Sequence, residues 1–84
     1  MELIYTEPAL DDLARLPVQM RDRVFKKISF YATQDDPLHF AEHLTGFRAY
    51  RFRIGMYRVF FEIQSDTLFV LAIRKRDKAY RGLE

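Results

Sequence analysis

The sequence predicts an α+β fold in which an N-terminal αα-hairpin packs on an antiparallel sheet built around a C-terminal three-stranded meander. Three observations carry this expectation. Apolar residues recur at three-four spacing through the first third of the chain. From Ala49 the period switches to two. Two short turns, Gly55-Met56 and Ser65-Asp66, then divide the alternating stretch into three strands.

The chain has 84 residues, of which 49% are apolar and 15% aromatic, a globular rather than a disordered composition. Residues 1–84 are therefore read as a single domain. With no cysteine there is neither a disulfide framework nor a thiolate metal site, and two histidines make a poor zinc set. The start, MELIYTEPAL, lacks a basic region followed by an apolar run, and no apolar stretch approaches bilayer length. A cytoplasmic protein with no membrane partner is expected.

In order along the chain, Glu2 to Tyr5 forms a short candidate strand, and Thr6 stands as a helix N-cap before Glu7 and Pro8. Leu10, Leu13, Ala14 and Leu16 then mark a first helix, which Pro17 interrupts. A second helix runs from about Pro17 to Thr33, with Met20, Val24, Phe25, Ile28 and Tyr31 on its apolar side. Residues 34–47 are the least regular part, with a turn signal at Asp35, Asp36 and Pro37. His39 and His43 lie there without a third ligand of suitable spacing, so they read as surface or packing residues and no metal is assigned.

The two hairpin loops set a register. The first pairs Ile54 with Tyr57, Arg53 with Arg58, Phe52 with Val59 and Arg51 with Phe60. The second pairs Gln64 with Thr67, Glu62 with Phe69, Phe60 with Leu71 and Arg58 with Ile73. Because side chains alternate strictly, Phe52, Ile54, Tyr57, Val59, Phe61, Ile63, Leu68, Val70 and Ala72 form one apolar face for the helices. The other face mixes Arg51, Arg53, Arg58 and Glu62 with Phe60, Phe69, Leu71 and Ile73.

Like charges opposite one another across strands are destabilising, so three arginines on one face call for an anion. The same face is too apolar for plain solvent surface, and a protein partner on Phe60, Glu62, Phe69, Leu71 and Ile73 is expected; a C-terminal segment or a second copy is the alternative cover. Charge is also polarised along the chain: residues 1–44 hold five Lys/Arg against eight Asp/Glu, and residues 45–84 hold nine against four. A polyanion is therefore expected to meet the C-terminal half, including the basic stretch from Arg74 through Lys75, Arg76 and Lys78 to Arg81.

The pattern Y-R-x-R-x-G-x-Y-R-V-x-x-E-I at residues 50–63, followed by an apolar strand and then R-x-x-x-Y at 76–80, resembles the C-terminal sheet of the RelE/ParE superfamily of type II toxin–antitoxin toxins. The resemblance covers essentially the whole chain. It implies a small, curved antiparallel sheet with the first strand beside the last, and an antitoxin that wraps the toxin and masks its site. For the RelE branch it implies an endoribonuclease, or mRNA interferase, that inhibits translation by cleaving mRNA in the 70S ribosomal A site, without metal or other cofactor. For the ParE branch it implies a DNA gyrase poison with no nuclease chemistry. An inactive relative is a third reading.

Matched residue by residue, the resemblance makes Arg51 and Arg53 RNA-binding positions, joined by Lys75 and Lys78 of the basic stretch, and makes Arg58 and Tyr80 catalytic. Arg74 and Arg76 are rival matches to a second catalytic arginine. The Gly-His that commonly precedes that arginine is replaced here by Arg74-Lys75, so a histidine general acid is absent at that spot. Arginine stabilises phosphate charge well but is a poor base, with a pKa above about 12. Tyr80 or Glu62 is left for proton transfer, each with a structural alternative: packing of the tail for Tyr80, neutralising Arg58 for Glu62.

Overall fold

The computed structural model describes residues 1–46 and 48–76. Strand β1 (Glu2–Tyr5) leads into α1 (Glu7–Arg15) and α2 (Val18–Ala32). A short 3-10 helix (Pro37–Phe40) follows, then β2 (Ala41–His43), β3 (Tyr50–Ile54), β4 (Tyr57–Gln64) and β5 (Thr67–Lys75). The five strands form one open sheet in the order β1-β5-β4-β3-β2, with both helices on one face. All neighbours are antiparallel except β1 and β5, which run parallel, so the sheet is mixed rather than purely antiparallel.

Thr6 joins the first strand to the first helix. Its hydroxyl accepts from the Ala9 backbone N–H (3.4 Å), which caps α1, and donates to the Val70 carbonyl (2.9 Å). Leu16 is extended before Pro17, as sterics at a pre-proline residue require. α2 starts without a side-chain cap, and its Arg21 turns back to donate to the carbonyls of Ala14 (3.0 Å) and Leu16 (3.3 Å) at the end of α1. That guanidinium satisfies carbonyls which a helix C-terminus leaves open.

The core lies between the helices and the sheet. Phe52, Val59, Phe61, Leu68 and Val70 are fully buried beneath Val24 and Ile28. The Phe52 ring stacks on Phe61 with centroids 4.1 Å apart and lies 4.5 Å from Tyr31. Phe25, expected on the apolar stripe of α2, is instead 47% exposed and stacks on Tyr5 at the margin of the core. Burial pushes the Tyr5 phenol up to about 12, favouring its neutral form between β1 and α2.

The β3–β4 register matches the expected one from Ile54↔Tyr57 to Arg51↔Phe60. The β4–β5 register agrees only near its turn. From Gln64↔Thr67 to Phe61↔Val70 the pairs are those expected, but Phe60 then faces Ala72, Val59 faces Ile73 and Arg58 faces Arg74. Leu71 is the extra residue of a β-bulge, so the pairs Phe60 with Leu71 and Arg58 with Ile73 do not form. The bulge exchanges two side chains between faces: Ile73 joins the core at 4% exposure, and Ala72 takes its place on the outer face.

The two tight turns differ in cost. Gly55 has φ +59°, which glycine adopts freely, whereas Ser65 has φ 55° with a Cβ to accommodate. Left-handed backbone costs an L-residue roughly 1–2 kcal/mol, part of which glycine returns through unfolded-state entropy. Ser65→Gly is therefore expected to stabilise the fold by about 0.5–1 kcal/mol, read as a higher urea midpoint at unchanged slope.

Candidate functional site

Arg51 and Arg53 on β3 and Arg58 on β4 share the sheet face turned away from the helices. The first anion they meet is part of the protein. β2 places Glu42 opposite Arg51, where its carboxylate accepts from Arg51 Nη2 (2.9 Å) and pairs with Arg53 Nε (2.7 Å). The Arg51 hydrogen bond is the main reason that the Glu42 carboxyl titrates below its usual range, with partial desolvation opposing and the charges of Arg51, Arg53 and Arg58 adding to the shift. A lowered carboxyl contributes stability at pH values above its ordinary range and loses it as pH falls through the folded-state value. At 44% side-chain exposure this contribution is small.

Where β5 ends beside the first hairpin tip, a cleft of about 400 Å³ is lined by Arg53, Gly55, Met56, Arg58, Lys75 and Arg76. Four of these six residues are cationic and none is acidic. Local folding brings them together: the Gly55-Met56 turn reverses the chain between Arg53 and Arg58, and the Arg76 backbone N–H donates to the Met56 carbonyl (2.8 Å). Arg58 is 4% exposed and is engaged within the protein, so its guanidinium is held at the cleft rather than sampling solvent. Forked guanidinium donors at fixed positions suit phosphate oxygens.

Of the rival arginines, Arg76 lines this cleft and Arg74 does not. The bulge sets Arg74 opposite Arg58, but its side chain lies at the β5 edge and pairs with Asp12 of α1. The same carboxylate accepts from the Ile73 backbone N–H (2.9 Å), an edge donor beyond the reach of β1, which pairs only as far as Val70. Arg74 instead borders a second cleft of about 370 Å³, with Asp12, Arg15, Tyr57 and Lys75.

The remaining expected site residues divide further. Phe60, Phe69 and Leu71 are buried or half-buried on the outer side of β4 and β5, and Ile4, paired with Phe69, exposes 43% of its surface beside them. Ile73 is removed from this group by the bulge. Glu62 accepts from Gln64 Nε2 (2.8 Å) on the same strand. His39 packs edge-on against Phe40 and His43 lies 5.0 Å from the Tyr50 ring, on different elements. Lys78 and Tyr80 lie outside the described residues, as does Arg81. Glu42 was not among the expected site residues, because a three-residue strand is too short for alternation to announce it.

Comparison with known proteins gives two kinds of likeness. In structure, the chain is similar to the RelBE2 toxin–antitoxin complex of Mycobacterium tuberculosis (TM-score 0.76, 23% identity, 89% of this chain and 90% of that one). It is also similar to the RelB–RelE complex of Methanococcus jannaschii (TM-score 0.77, 20% identity, 96% and 99%) and to the isolated RelE toxin of E. coli (TM-score 0.73, 18% identity, 99% and 98%). At these identities the likeness is one of fold. A search of curated protein sequences finds no match. In sequence, the family described as the ParE toxin of type II toxin–antitoxin systems, parDE, matches residues 3–80. That match runs from β1 through the whole sheet, and the chain belongs to this toxin family, within the RelE/ParE superfamily.

Proposed function

We propose that this protein is a ribosome-dependent mRNA endonuclease, the toxin of its pair, held in check by an antitoxin. The observation that carries the reading is the cleft of Arg53, Arg58, Lys75 and Arg76, which gathers positive charge with no carboxylate among the described residues that line it. In RNA cleavage without a metal, the 2′-oxygen attacks the adjacent phosphorus, its proton passes to a base, and the P–O5′ bond breaks as the 5′-oxygen takes a proton. Arg58 and Arg76 stabilise the phosphorane charge, while Arg53, Lys75 and Arg51 hold the neighbouring backbone. Tyr80 is the group offered for proton transfer, with Lys78 a further RNA contact; Glu62, four residues or about 13 Å along β4 from Arg58 and bonded to Gln64, does not line the cleft.

The similar RelB–RelE structures are complexes of a toxin with its antitoxin. By analogy, an antitoxin segment covers the outer face around Phe60, Phe69 and Leu71, where apolar surface stays open beside Ile4. A second reading has its own observation: the matching family is named for ParE, and as a gyrase poison the protein would leave transcripts intact and provoke DNA damage. Controlled expression followed by primer extension on a reporter mRNA separates the two. Cleavage in phase with codons is expected, and growth arrest with intact transcripts would overturn the nuclease reading.

Glu42 acts as an internal competitor for RNA, since it occupies donors of Arg51 and Arg53. Glu42→Gln removes that charge and is expected to tighten binding of a single-stranded RNA and steepen its salt dependence. Fluorescence anisotropy across a salt series checks this; weaker binding by the folded variant would count against the competition.

A further inference from the structure

We infer that Arg23 of α2 is a further phosphate-binding residue, and that a bound RNA strand passes over the first hairpin tip from the cleft onto the helical side of the molecule. The inference deepens the nuclease reading and rests on it. A methyl carbon built on Gly55 would lie 4.0 Å from both Cζ and Nη1 of Arg23. Gly55 also lines the cleft of Arg53, Arg58, Lys75 and Arg76. The guanidinium of Arg23 therefore stands across a single side-chain-free residue from the cleft.

Three further facts fit Arg23 to this task. It is exposed, on a helix whose buried contacts are made by Val24, Ile28, Tyr31 and Ala32. Its acidic neighbour Asp22 is engaged by Lys26 (3.0 Å). Among the described residues no ion pair joins Arg23 to a carboxylate, unlike Arg51, Arg53 and Arg74, which each have one. The ligand class follows from the arrangement. A single phosphate would be served by the cleft alone, whereas cations on both sides of a hairpin tip suit a flexible chain of phosphates. A single-stranded polynucleotide has that spacing of charge and bends around so narrow a rim.

The test is binding of the full chain to a fluorescent oligouridylate over a range of salt concentrations, comparing wild type with Arg23→Gln, Arg23→Lys and Arg76→Gln. Loss of one phosphate contact to a single strand lowers the slope of log affinity against log salt by about 0.7 and weakens binding about fivefold near 0.1 M salt. Arg23→Gln is expected to show both effects, and Arg23→Lys to keep the wild-type slope because the charge remains. If Arg23→Gln superimposes on wild type while Arg76→Gln weakens, the Arg23 site is wrong and the cleft stands. If both superimpose, or the wild type does not bind, the Arg23 site and the RNA cleft fall together.

Discussion

Arg58→Ala is expected to reduce ribosome-dependent mRNA cleavage by about 10²–10³-fold, the range for removing one preorganised donor from a developing oxyanion. Arg58 is the lining residue most fixed by its surroundings, at 4% exposure. Arg58→Lys is expected to lose most of the activity as well, because an ammonium keeps the charge without the planar fork. Cleavage rates on programmed ribosomes, with circular dichroism to show that each variant is folded, provide the check. A folded Arg58→Ala protein with undiminished cleavage would remove Arg58 from the chemistry. Arg74→Ala is expected to affect the Asp12 contact at the β5 edge instead, and so stability before rate.

Phe52→Ala is expected to have the largest effect on stability. The ring is fully buried, stacked on Phe61 and close to Tyr31. Truncating such a residue costs about 3–5 kcal/mol from the lost transfer energy and the cavity left behind. For a chain of this size that approaches the whole folding free energy, and at roughly 4–8 °C per kcal/mol the melting midpoint falls by on the order of 20 °C. Phe25→Ala is the control: its ring is 47% exposed, and a loss below about 1 kcal/mol is expected. Equal melting points for the two variants would mean that the core is centred elsewhere.

What the sequence made legible was whatever follows from local rules. Thr6-Glu7-Pro8 announces α1, Leu16-Pro17 announces the break, and the glycine-first turn at Gly55 fixes the β3–β4 register to the residue. That register places Arg51, Arg53 and Arg58 on one face, and the pairing agrees. The bulge at Leu71 was not legible, because FVLAI reads as unbroken apolar strand whether or not one residue is extra. Its cost was the assignment of Ile73 and Ala72 to the wrong faces. The choice between Arg74 and Arg76 was equally closed to sequence, since it turns on Asp12, 62 residues from Arg74. Charge patterning detected an arginine face that needs an anion, but not that Glu42 would supply part of it from a strand of three residues.

The parallel pairing of β1 with β5 also governs when the molecule comes into being. Ile4 faces Phe69, and the Thr6 hydroxyl bonds to a carbonyl 64 positions later, so the opening strand and the cap of the first helix both wait for the last strand. Closing so long a loop is entropically slow beside the two hairpins, whose strands adjoin in sequence. On a translating ribosome the chain emerges from its N-terminus, and β1 and α1 have no completed sheet to dock on until β5 has cleared the exit tunnel. The sheet end that bears the basic cleft, with Lys75 and Arg76, is synthesised in that same last stretch. The first strand and first helix of this toxin are thus made early and set in place late, once β5 has been synthesised.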